Sequence, residues 1–293
     1  MKEISKISII VSFVALWITS RLENDVQTII GFVFIFSFGI LHGANDLVLL
    51  KNLKAKKNRY FSFLTLYVTV VLISALLFLT IPVIVLFLFI AISAYHFGEQ
   101  HFQDLEEYRW KWLKSLFYFV YGSFILLLLF YFHSIEVQKI IRSITSYDLQ
   151  FFDSPFALII SGTTLLFFFV YNFFALPNAK KTVGTELIYL GVFAIIFKLG
   201  SLIWGFAIYF ILWHSIPSLH DQIKFLYGKY SFSNFKLYFT SAFFYWAVSL
   251  LGIGILYFFL REEKLFDAVF FSFIAAITFP HAFVILNMFK KKF

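Results

Sequence analysis

The chain has 293 residues, of which 61% are apolar and only 14% charged, with a formal net charge of +8 and no cysteine. A soluble domain carries roughly 25% charged residues and a membrane span takes roughly 20 apolar ones, so the composition suits about ten spans and leaves no room for a separate soluble domain. The missing cysteines exclude disulfides, iron–sulfur clusters, thiolate zinc and Cys nucleophiles. The basic residues sit at the ends of apolar runs, where the positive-inside rule places them, which argues against nucleic-acid binding.

The expected spans follow from unbroken apolar runs between charge clusters. The first covers Ile4 to Ser20 behind Lys2 and Lys6. Ile18, Thr19 and Ser20 make a poor small-residue cleavage site, so this run reads as a retained span rather than a signal peptide. The second covers Val26 to Leu50 and stops at Lys51, Lys54, Lys56, Lys57 and Arg59. The third covers Tyr60 to Leu79, Pro82 marks a tight turn, and the fourth covers Val83 to Phe102. The fifth and sixth cover Leu113 to Phe132 and Phe156 to Leu176, followed by a polar turn from Asn178 to Lys181. The last four cover Glu186 to Phe197, Ser201 to Leu219, Leu237 to Leu260 and Leu265 to Phe289, ending at Lys290, Lys291 and Lys292. With the N-terminus on one side, 18 of the 24 Lys and Arg residues share that side. That side is therefore expected to be cytoplasmic, with both termini on it. Residues 1–293 read as a single all-α, multi-span domain in the cell (inner) membrane. Phe102 to Trp112, with Tyr108, Trp110 and Trp112, reads as an aromatic belt. Ile135 to Phe152 alternates apolar and polar groups like a segment lying along the outer surface. The 45 phenylalanines fit either a coding bias or an aromatic path for a lipid or polyene.

Ionisable groups inside spans are costly and mark function. The seven histidines are His42, His96, His101, His133, His214, His220 and His281. His133 closes the fifth span and reads as an ordinary interfacial residue. His42, His96, His214 and His281 lie on four different inward-running spans, each roughly 8–12 Å from the cytoplasmic boundary at about 1.5 Å per residue. A lone buried histidine is usually a hydrogen-bonded core residue, but four at one depth point to a shared site. His101 and His220 sit lower and off the faces of His96 and His214, as rim groups. Neutral imidazole suits iron, zinc, copper and nickel, whereas calcium and magnesium need oxygen ligands. Asp46 at i+4 from His42, Glu99 at i+3 from His96 and Ser218 at i+4 from His214 are spaced to orient the rings.

The residues around these histidines are His42-Gly43-Ala44-Asn45-Asp46-Leu47, Ser93-Ala94-Tyr95-His96-Phe97-Gly98-Glu99-Gln100, Trp213-His214-Ser215-Ile216-Pro217-Ser218 and Phe279-Pro280-His281. Together they resemble the Brp/Blh family of membrane β-carotene 15,15′-dioxygenases, over nearly the whole chain in segment order, length and hydrophobicity. The resemblance implies Fe(II)- and O2-dependent cleavage of the central double bond of β-carotene to two all-trans-retinal, which would supply a rhodopsin. It places His42 in the family's HGAxD segment, His96 in its HFG segment and His214 in its WHS segment. Many members carry another histidine four residues beyond the last of these, where this chain has Ser218. The expected fourth ligand is therefore His281, with His220 as the local substitute. The carotenoid would enter from the lipid bilayer; Tyr95, Phe97, Trp213 and Phe279, beside these histidines, fit equally the lining of its path and core packing.

Other readings fit less well. Membrane di-iron desaturases need clustered HxxxH and HxxHH boxes, and this chain has no HxxxH. Paired histidines would suit a b-type cytochrome, which a haem band would reveal. The alternative from another class is a transporter or proton/metal pathway using intramembrane histidines, but paired Gly/Pro-broken spans in matching halves are missing. No lysine sits mid-span to form a retinal Schiff base.

Overall fold

The computed structural model describes residues 2–53, 60–105, 108–149, 154–176, 179–259 and 263–292. Lys54, Lys56, Lys57 and Arg59 of the basic cluster, Phe152, Asn178, Leu260 and Arg261 lie outside the described residues.

The described residues are helical and contain no strand. The helices are α1 (Lys2–Thr19), α2 (Asn24–Leu53), α3 (Tyr60–Thr80), α4 (Pro82–His101), α5 (Lys111–Phe132), α6 (Ser134–Thr145), α7 (Pro155–Ala175), α8 (Ala179–Leu199), α9 (Leu202–Tyr227), α10 (Phe232–Phe259) and α11 (Glu263–Lys292). Among the described residues, eight helices are long and apolar enough to cross a membrane, and Ile4–Thr19 and Leu64–Thr80 are shorter apolar helices. Each of the ten expected spans thus falls on a helix. The helix ends follow local chemistry. Ser154 caps α7 by accepting from the Phe156 N–H, with Pro155 in the first turn, where its missing N–H costs nothing. Ser201 caps α9 through the Trp204 N–H, and Gly228, at φ +81°, ends it in the left-handed region.

Two runs among the described residues are not regular α-helix. Ile35–Gly39 in α2 and Phe210–Ser215 in α9 are π-helical, a distortion that tends to appear at functional sites. A turn at Ala44 and Asn45 then interrupts α2. α6 buries Val137 and Ile141, one turn apart, and exposes Ile135. In the expected aromatic belt Trp110 and Trp112 are exposed, but Tyr108 is buried and its O–H donates to the Asn172 side chain. Tyr108 is therefore a packing residue.

The chain divides into two compact units. One comprises residues 1–34, 93–139 and 148–214. In it Gln27 donates to the carbonyls of Leu22 (3.0 Å) and Thr19 (3.3 Å) and accepts from the Ser201 N–H (3.0 Å), joining the start of α2 to the start of α9. Helices α4 and α5 touch backbone to backbone. A Cβ on Gly98 would lie 2.0 Å from the Tyr118 carbonyl oxygen, and one on Gly122 would lie 1.8 Å from that of Ala94. The other unit comprises residues 35–92, 140–147 and 215–293. Its core includes Leu47, Leu49 and Leu50 of α2 packed with Val284, Ile285, Met288 and Phe289 of α11. A second cluster joins Leu41, Ile223, Tyr238 and Ala242.

Candidate metal centre

In the second unit His42 and His281 come together, both about nineteen-twentieths buried, with ring centroids 4.8 Å apart and planes at 87°. Helix α2 supplies His42 just after its π-helical run, and α11 supplies His281 just after Pro280. The Nδ1 of His42 bonds to the Gly39 carbonyl. A carbonyl only accepts, so in the neutral ring Nδ1 carries the hydrogen and Nε2 keeps a lone pair. The Nδ1 of His281 lies 2.9 Å from Asp46 Oδ1, and the Tyr67 O–H donates to Asp46 Oδ2 at 2.9 Å. A carboxylate holding Nδ1 again leaves the lone pair on Nε2, the nitrogen that could ligate a metal. The i+4 spacing had matched Asp46 to His42, but the turn at Ala44 and Asn45 breaks the helix between them. The Asp46 carboxylate accordingly serves His281.

In the first unit His96 on α4 and His214 in the π-helical run of α9 form a similar pair, with centroids 4.9 Å apart and planes at 80°. Both are buried. Phe97 packs edge-on against His214 at 4.6 Å and Phe210 stacks on it at 5.3 Å, so the imidazole has apolar walls. Gln100 donates to the His214 carbonyl at 2.7 Å. Glu99 accepts from the Tyr95 O–H at 3.4 Å, and Ser218 accepts from Gln222 at 3.1 Å.

The remaining histidines have other partners. His101 contacts Glu186 Oε2 at 2.8 Å, the Tyr121 O–H donates to the same oxygen at 2.8 Å, and the His101 and Tyr121 rings stack at 4.9 Å. His220 lies against Tyr230, with Nδ1 3.8 Å from Asp221. His133 donates to the Phe197 carbonyl at 2.7 Å. Trp213, which fitted either path lining or core packing, donates to Ser12 at 3.1 Å and packs on Tyr189 and Phe193 in the core of its unit. Phe279 is half-buried.

Among the described residues no three His, Asp or Glu side chains gather into a metal-holding group. Each unit instead holds a pair of buried imidazoles, and imidazole nitrogen is a donor that suits iron. Tyr67, Gln100, Glu186, Gln222 and Tyr238 were not singled out by sequence reasoning. Tyr67 reaches Asp46, and the other four reach histidines, from other helices or through backbone atoms, and no local spacing signals that.

The family described as beta-carotene 15,15'-dioxygenase matches residues 33–289, a stretch that contains all seven histidines. No curated protein and no solved structure matches the chain.

Proposed function

This chain belongs to the β-carotene 15,15′-dioxygenase family, and we propose that it is a membrane enzyme cleaving β-carotene at its central double bond into two all-trans-retinal. One O2 gives one oxygen atom to each aldehyde, so both halves of the broken C=C become C=O and no reductant is consumed. The family match over residues 33–289 carries this reading.

We propose non-haem iron as the cofactor, with His42, His96, His214 and His281 as its ligands and His220 as the substitute for the last. Bound iron would supply the redox chemistry that O2 needs to react with a closed-shell polyene. The chain's own groups hold and orient. Gly39 and Asp46 fix the Nδ1 hydrogens of His42 and His281, so that Nε2 of each ring can bind. The Asp46 carboxylate offsets part of the charge that four neutral ligands leave on the metal, and Tyr67 holds that carboxylate in place. Phe97 and Phe210 keep water from His214. The proposed surroundings are a lipid bilayer in which the carotenoid dissolves, cytoplasmic termini, and a rhodopsin as consumer of the retinal.

Expression in a β-carotene-producing bacterium tests this. Retinal should accumulate as β-carotene is lost, and His42→Ala or His96→Ala should remove both the activity and the bound iron. Unchanged β-carotene in cells that express the protein well and are supplied with iron would rule out the activity. Iron retained by the variants would rule out the ligand assignment.

A further inference from the structure

Two buried glutamines hold main-chain carbonyls of proposed ligands. In the second unit Gln222, fully buried, donates from Nε2 to the His42 carbonyl at 2.8 Å and to Ser218 Oγ at 3.1 Å. Its Oε1 accepts from the Tyr238 O–H at 2.7 Å, and that hydroxyl also lies 3.2 Å from the His42 carbonyl. Asn45, in the turn, donates to the Tyr238 carbonyl at 2.9 Å and accepts from Ser241 at 2.9 Å. In the first unit Gln100, also buried, donates to the His214 carbonyl at 2.7 Å.

Both carbonyls lie where the helix is irregular. His42 sits between a π-helical run and a turn, and His214 lies inside the other π-helical run. Where a helix departs from the regular i to i+4 ladder, side-chain donors can bind its main-chain carbonyls. A donor to the carbonyl fixes the peptide plane, and the plane sets the direction of Cα–Cβ, hence where the imidazole points. A flipped Gln222 amide would set Oε1 against the His42 carbonyl oxygen, so that carbonyl fixes the orientation of the clamp.

We propose that Gln100 and Gln222 are positioning residues that aim the imidazoles of His214 and His42 by holding their main chain. The inference rests on the iron-dependent reading above. The test uses the purified full chain carrying Gln100→Met or Gln222→Met, which keep the volume and remove the donor. Fe(II) affinity is measured by chelator competition, kcat and KM with β-carotene, and thermal stability alongside. Each variant should bind Fe(II) about tenfold more weakly, the scale for groups that orient metal ligands, with a lower kcat and an unchanged KM. Tyr238→Phe, which removes one hydroxyl, should move affinity and kcat in the same direction by less. If the Met variants do not accumulate, Gln100→Asn and Gln222→Asn, one methylene too short to reach, read the same contacts. Wild-type iron affinity and kcat in these variants, or a loss confined to thermal stability, overturns the positioning role alone. A wild-type protein that binds no iron overturns the iron reading and this inference together.

Discussion

Asp46 and His281 are 235 positions apart in sequence, yet Oδ1 and Nδ1 lie 2.9 Å apart in a buried pair. Asp46 also accepts from Tyr67, so one carboxylate ties α2, α3 and α11 together. Asp46→Ala should lower activity and iron affinity by about 10–100-fold, because the His281 ring loses the acceptor that selects its tautomer. Asp46→Asn, whose amide oxygen can still accept from Nδ1, should retain more of both. Tyr67→Phe should have the smallest effect of the three. Iron affinity and kcat measured in parallel check the order.

The glycine of the His96-Phe97-Gly98 segment is a packing residue. Gly98→Ala and Gly122→Ala each push a Cβ into a backbone carbonyl, at 2.0 and 1.8 Å, where no flexible side chain can yield. Either should abolish accumulation of folded protein. Gly184→Ala and Gly191→Ala meet nothing within 4 Å and should be tolerated or slightly stabilising in their helices. Monodisperse yield in detergent distinguishes the two classes.

His101 and Glu186 form a partly buried pair closed by the Tyr121 hydroxyl. Removing one partner and leaving the other's polar group unsatisfied costs about 1–3 kcal/mol. Glu186→Leu should therefore lower the thermal midpoint strongly, while Glu186→Gln, which can still accept from Tyr121, should lower it less. A midpoint equal to wild type in Glu186→Leu would count against a structural role for this cluster.

His133, beyond the end of α5, has its pKa lowered by burial, partly offset by its bond to the Phe197 carbonyl. A lowered folded-state pKa means that the unfolded chain takes up the proton more readily. The contribution to stability is complete above the unfolded value of about 6.5 and is lost as pH falls through the lower folded value. Wild type should therefore lose more stability than His133→Gln on acidification below pH ~6.5, as thermal midpoints across a pH series would show.

The helices were legible in the sequence because each apolar run is long and bounded by charge or proline, as at Pro82 and Lys111. His42, His96, His214 and His281 stood out as well, since an imidazole inside a span contrasts with leucine and phenylalanine, but their grouping in two pairs did not. Their partners were not legible. Regular helical spacing assigns Asp46 to His42, and a turn at Ala44 and Asn45 overrides it. The π-helical runs Ile35–Gly39 and Phe210–Ser215 leave no mark in composition, so the irregular backbone next to His42 and around His214 was invisible. Tyr67, Glu186 and Tyr238 act from distant helices, where each reads as one more residue of an apolar or interfacial run. Tyr108 misled in the opposite sense, since an aromatic side chain near a span end also serves as core.

The most direct measurement is the product balance of the purified protein, supplied with Fe(II), O2 and β-carotene in detergent and followed by chromatography. Two retinal should form for each β-carotene consumed, with no product of any other length and no turnover once Fe(II) is chelated. Intact β-carotene, or a pair of unequal aldehydes, would contradict central cleavage by this chain.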